Sequence, residues 1–157
     1  MITKDLLNRA SIFRYGIESA LKEGCFSEDI SFSHFPSGCC GDAADLLGQY
    51  LLDYGIQTKR VCGIHGYGDE RNPQTHAWLQ YGNIVIDITG DQFFNRSEFH
   101  FYNNPVYVGP MDQMHSTFSV YVGNVRDIVD LSSLGANVAP RLLRLYRTIV
   151  SHTQATE

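Results

Sequence analysis

Cys40, His76 and Asp87 stand in that order along the chain, and their types are those of a thiol acyl-transfer centre: nucleophile, general base and orienting acid. The stretch FPSGCCGDAADLLGQYLLDYGI, residues 35–56, places Cys39 and Cys40 after Pro36 and Gly38 and directly before a helical pattern. Cysteine attacks as its thiolate, and a helix N-terminus lowers thiol pKa through unpaired backbone N–H groups and the positive end of the dipole. Cys40 lies where that effect is largest. Gly38 allows a tight backbone approach, and the Cys40 N–H can donate to a developing oxyanion. One residue step near a helix start turns the side chain by about 100°, so only one of the two cysteines is expected to point at a substrate.

A thiol so placed needs a base. His76, in THAWLQYGNIVIDITGDQF, heads one candidate strand, and Asp87 lies on the next, across a turn at Gly82 and Asn83. The pairing puts the two residues about one cross-strand neighbour apart, where separations are about 4.5–5.5 Å. Asp87 also interrupts the apolar run IVIDIT, and a charge in a buried strand requires a partner. His76 is the residue positioned to supply it.

These residues resemble the core of the transglutaminase-like superfamily of papain-type cysteine enzymes. The family's C-x-D-x-A-x-L helix start reads here as Cys40, Asp42, Ala44 and Leu46, and its following segment as Gly55, Ile56, Lys59, Val61 and Gly63. Its H-A-W and D-P-T segments read as His76-Ala77-Trp78 and Asp87-Ile88-Thr89, with Ile88 in place of proline. The likeness spans residues 38–92. It implies Cys40, not Cys39, as nucleophile, His76 as base and Asp87 as orienting acid. It further implies a papain-like α+β fold with the nucleophile helix packed on an antiparallel sheet, and thioester chemistry on amides. Relatives of that kind include transglutaminases, peptidases, amidases and deamidases, and some members that have lost catalysis.

The elements that must hold these residues are legible as patterns. Thr3 can cap a helix carrying Leu6, Leu7, Ala10, Phe13, Ile17, Ala20 and Leu21 at helical spacing, with Gly24 as its stop. Residues 25–38 read as an irregular connection. A second helix runs from Cys40 to Gly55, followed by candidate strands TKRVCGI, THAWLQY and IVIDIT, with residues 64–74 as a surface loop. PVYVG and TFSVYVG look like two more strands. Residues 138–151 form a closing helix whose Arg141, Arg144 and Arg147 are expected to face solvent. Helices followed by an antiparallel run argue for a single α+β domain over residues 1–157.

Composition narrows the partners. With 43% hydrophobic and 18% charged residues the chain can bury a core, and a net charge of −5 with scattered Lys and Arg argues against nucleic acid. The N-terminus lacks an apolar signal-peptide stretch and no run reaches transmembrane length, so the expected compartment is the cytoplasm, with no membrane partner. In that reducing setting Cys25, Cys39, Cys40 and Cys62 are expected as free thiols, Cys25 and Cys62 with structural roles. No metal or cofactor is expected, because no C-x-x-C or H-x-x-x-H spacing occurs. His65, His100 and His115 read as surface histidines, and Asp42 as a residue that favours the helix dipole.

Trp78 shares the strand face of His76, and Gln92 follows Asp87 closely, so with Gly38 they are candidate substrate or oxyanion contacts. Ser33 or His34 is a further candidate donor. The aromatic segment 90–105 is expected to pack over the sheet. The expected substrate is a protein or peptide, and the expected outcome is hydrolysis as a peptidase, amidase or glutamine deamidase, with transglutamination as the variant in which an amine replaces water. Arylamine N-acetyltransferase chemistry uses the same triad, but that family's R-G-G-x-C lead-in is absent. A reading from another class is a non-catalytic binding module that keeps the fold.

Overall fold

In the computed structural model, residues 1–65, 74–94 and 102–154 are described. Leu6, Ala10, Phe13, Ile17 and Ala20 share one stripe and are all buried, which makes them the inner face of helix α1 (Ile2–Lys22). This helix begins ahead of Thr3, with Met1 at the cap position and no side-chain cap, so Thr3 lies inside the first turn. Gly24 ends it as expected: at φ 79° it adopts the left-handed conformation that lets Gly24 N–H and Cys25 N–H reach back to Leu21 and Ala20 carbonyls. The connection that follows contains a single 3₁₀ turn, Phe32–His34, and sinks Phe26, Phe32 and Phe35 into the core. Helix α2 (Cys40–Asp53) is apolar round much of its circumference, with Ala43 to Leu51 all buried, and Gly55 at φ 80° closes it.

Strands β1 (Lys59–His65), β2 (Gln74–Tyr81), β3 (Ile84–Asp87), β4 (Tyr107–Gly109) and β5 (Val125–Asp127) form one antiparallel sheet in the order β4-β3-β2-β1-β5. The protein is therefore an α+β fold, with four helices among the described residues, α3 (Gln113–Ser116) being one turn and α4 (Ala139–Thr153) the closing helix. Both faces of the sheet are covered. Ala77, Leu79 and Ile86 pack with α1, α2 and α4, while Val61, Trp78 and Val85 face a smaller core of Phe93, Tyr102, Met114 and Phe118. Alternating residues of β2 and β3 thus serve two cores, which explains why IVID carries no polar-out alternation. No helix among the described residues is long and apolar enough to cross a membrane.

Three expectations are corrected. TFSVYVG forms no strand of its own: Ser119 makes an isolated bridge to Ile64, Val122–Asn124 is a 3₁₀ turn, and the strand is the next segment, β5. Only Phe118 of that run is buried, and Val122 is 94% exposed, so its apolar residues have no face to cover. The loop between β1 and β2 is shorter than drawn, because His65 and Gln74 are already paired strand residues; residues 66–73 lie outside the described residues, as do His100 and residues 95–101 of the aromatic segment. Arg141 does not simply face solvent. It binds Asp29 through two bonds of 2.9 and 3.0 Å and Asp42 at 2.8 Å, tying α4 to the approach and first turn of α2.

Helices α1 and α4 touch at Gly16. A Cβ there would lie 2.7 Å from Thr153 Cγ2 and 2.9 Å from the Ile149 carbonyl oxygen, and the latter is backbone that cannot rotate away. Gly16→Ala gains about 1 kcal/mol of helix propensity but overpacks the contact by about 1–3 kcal/mol. The expected result is a lower Tm on thermal unfolding; a raised Tm would show that the two helices separate freely.

Candidate active site

Gly38, at φ 76°, turns the chain so that Cys39 takes the cap position and Cys40 the first position of α2, where the Cys39 carbonyl already accepts from Ala43 N–H at 2.8 Å. The two thiols then diverge. Cys39 is 3% exposed and belongs to the helix-side core, where burial pushes its pKa up to about 12. Cys40 is half-buried and lines a cleft of about 500 Å³ with Ser37, Gly38, Gln74, Thr75, Gln92 and Phe93. Burial opposes its thiolate too, but the hydrogen bond and charge of His76, with the Ala77 backbone N–H, outweigh it and hold the pKa below the ordinary thiol value.

His76 and Asp87 are fully buried partners with Nε2 and Oδ2 2.6 Å apart. The register pairs Leu79 with Ile86, so His76 and Asp87 are diagonal neighbours across β2 and β3, and the side chains close the gap. Burial works against an imidazolium, yet Asp87 and then Cys40 raise the His76 pKa to about 9. Burial likewise opposes the Asp87 anion, and His76 and His115 overcome it, holding that carboxyl well below the usual range. Its Oδ1 accepts from Thr89 N–H at 2.9 Å. With Nε2 engaged by Asp87, Nδ1 is the nitrogen left for the thiol proton. The Gln92 amide nitrogen donates to the Thr89 carbonyl at 3.0 Å and lies 3.3 Å from His76 Nδ1, which places Gln92 at the same edge.

Trp78 stands behind the histidine rather than in the cleft: it is 1% exposed, its ring centroid is 5.7 Å from that of His76, and it lines a separate pocket of about 370 Å³ with Val61, Gln80 and Val125. Ser33 and His34 bond to one another and to the Ile30 carbonyl and are not among the residues lining the cleft.

Two further residues, His115 and Arg14, complete the site, and neither was assigned to it from the sequence. His115, expected at the surface, is 1% exposed, and its Nε2 lies 2.6 Å from the same Asp87 Oδ2 while its Nδ1 lies 2.6 Å from Asp112 Oδ1. The one available signal was Asp112 three residues earlier, a capping residue that also accepts from His115 N–H. Arg14, on α1, reaches across to bind both carboxylate oxygens of Asp91 at 2.7 and 2.8 Å and the Ile88 carbonyl at 2.7 Å. It thereby fixes the turn that carries Thr89 and Gln92. Its position beside Phe13, at the edge of the apolar stripe, was the sole hint.

His76, Asp87 and His115 also gather three ligand atoms of the kind a metal would use. Adjacent ligands about 2.0–2.1 Å from a tetrahedral zinc sit about 3.3 Å from each other; separations of 2.6 Å are those of charge-assisted hydrogen bonds. A second such group, Glu23, Cys25 and His152, lies at the surface where α1 and α4 end.

No family model, no curated protein and no solved structure matches the chain. The thiolate of Cys40 exists alongside a protonated His76 from the lowered thiol pKa up to about pH 9, where His76 gives up its proton. Iodoacetamide at pH 7 is expected to label Cys40 faster than the exposed Cys25 and to leave Cys39 unmodified, read by mass spectrometry. In His76→Ala the Cys40 rate at pH 7 falls by about tenfold or more as the thiol pKa rises. Equal labelling of Cys25 and Cys40, unchanged by the mutation, would deny the pair.

Proposed function

We propose that the protein is a cysteine-dependent acyl-transfer enzyme of transglutaminase-like type that hydrolyses an amide or peptide bond. The observation that carries this reading is the unbroken chain from Cys40 at a helix N-terminus, through buried His76, to Asp87, opening on the cleft. In the first half-reaction His76 Nδ1 takes the thiol proton and the thiolate attacks the substrate carbonyl carbon. The carbonyl oxygen becomes an oxyanion, for which the Cys40 backbone N–H at the start of α2 is the first donor. The tetrahedral adduct collapses as the C–N bond breaks, and His76 returns its proton to the leaving nitrogen, giving ammonia or an amine and a thioester on Cys40. Water, deprotonated by His76, then attacks the thioester, releasing the carboxylic acid and the thiol.

Asp87 holds the imidazole in the Nε2–H tautomer, so that Nδ1 faces the sulfur, and it stabilises the imidazolium formed in each half-reaction. The lining of the cleft favours an amide over a charged substrate. Among the described residues that line it, Ser37, Gln74, Thr75 and Gln92 offer neutral donors and acceptors. The substrate class is accordingly a peptide or protein, bound through its amide groups.

Incubation with a mixture of peptides, some containing glutamine, tests the reading. A mass gain of one unit with ammonia release marks deamidation, strand scission marks peptidase action, and amine incorporation marks transglutamination; each must vanish in Cys40→Ala. Selective Cys40 labelling with one of these products supports the proposal. No product above the Cys40→Ala background, with slow unselective labelling, would leave a binding module instead.

A further inference from the structure

The Asp87 carboxylate is shared. One oxygen, Oδ2, lies 2.6 Å from Nε2 of His76 and 2.6 Å from Nε2 of His115, and the far nitrogen of His115 lies 2.6 Å from Asp112 Oδ1. A neutral imidazole has one N–H. With the Asp87 and Asp112 carboxyls both held ionised, a bare nitrogen 2.6 Å from either would set a lone pair against a lone pair, so both His115 nitrogens carry protons. Aromatic rings enclose it: Trp78 and Tyr102 lie roughly perpendicular to its plane with centroids 5.0 and 6.1 Å away, and Tyr107 stacks at 5.7 Å.

We propose that His115 is a permanent buried imidazolium, braced by Asp112, which keeps Asp87 an anion and so makes His115 and Asp112 positioning residues for His76. The inference rests on the thiol reading of the site. It extends the chain Cys40, His76, Asp87 by two members, ending at the partly exposed Asp112. An ionised carboxylate with no solvent contact needs a counter-charge that does not come and go with turnover. His76 cannot be that charge, because it gains and loses a proton in each half-reaction, whereas His115 touches neither thiol nor cleft. The titratable groups facing His115 are Asp87 from β3, His76 from β2 at 6.0 Å between rings, Asp112 from its own turn, and the Tyr102 and Tyr107 phenols. Burial disfavours the charge, but the bonds to Asp112 and Asp87 outweigh it and lift the His115 pKa above its ordinary value.

The sign of the effect is fixed by charge alone. Removing a buried positive charge makes every neighbour easier to protonate, and removing a negative one does the reverse. In His115→Gln, which keeps an amide donor toward Asp87, the Cys40 and His76 steps of the alkylation profile are expected to move up by about one pH unit. In Asp112→Asn, at the surface and nearly isosteric, the same steps move down by a smaller amount. A space-filling role predicts a slower rate in both variants with the steps unmoved, and that result would overturn the inference. Independently of any reactivity, long-range ¹H–¹⁵N spectra of the wild type at pH 7 should show both His115 ring nitrogens protonated, the signals being assigned by their loss in His115→Gln. A His115 with one bare nitrogen at pH 7 overturns the inference whatever Cys40 does. An inert wild-type Cys40 beside a doubly protonated His115 would overturn the thiol reading and the positioning role, leaving the buried cation standing.

Discussion

A carboxylate buried without solvent is the constraint around which this molecule is arranged. Asp87 is 2% exposed, and an ion in that setting persists only if the protein replaces its hydration shell group by group. Two imidazoles and the Thr89 N–H do so here. Each is held by something else: His76 by Phe93 and Trp78, His115 by Asp112, Thr89 by the turn that Arg14 clamps. Losing one partner of such a buried set costs about 3–5 kcal/mol, since the remaining charge is left uncompensated. The site and the local stability of the sheet are consequently one object.

The antiparallel sheet supplies the geometry that this constraint needs. Strand β2 sends Ala77 and Leu79 toward the helices and Trp78 toward the smaller core, and His76, two residues before Trp78, lies among the rings on that second face. Helix α2 brings its first residue to the end of the same strand. Cys40 thus comes from a helix terminus, where backbone N–H groups are unpaired, and His76 from a strand position packed against Phe93 and Phe118. Cys39, one residue earlier, is turned into apolar packing that raises its pKa to about 12, so two adjacent thiols are shifted in opposite directions.

Much of this was legible in the chain, and what was not has a physical reason. The pattern at Cys40, the apolar stripe of α2, the turn at Gly82 and the lone acid of IVIDIT are local signals, and they place α1, α2, β1, β2 and β3 within a residue or two. His115 and Arg14 are not local. Each acquires its role from a partner far along the chain, Asp87 for one and Asp91 for the other, and spacing carries no trace of such a meeting. TFSVYVG misled for a related cause: its residues have strand propensity, but the surface they would cover is absent, and burial rather than propensity decides a strand.

The division of the site between α2 and the β2–β3 hairpin has a consequence during synthesis. Helix α2 leaves the ribosome before the hairpin, and its Cys40 lacks the imidazole and the carboxylate until that hairpin has emerged and docked. Arg14 and Arg141 then join the N-terminal and C-terminal helices to that same region. The contrast between the two adjacent thiols is therefore a product of folding, complete only once strands far along the chain have closed on the start of α2.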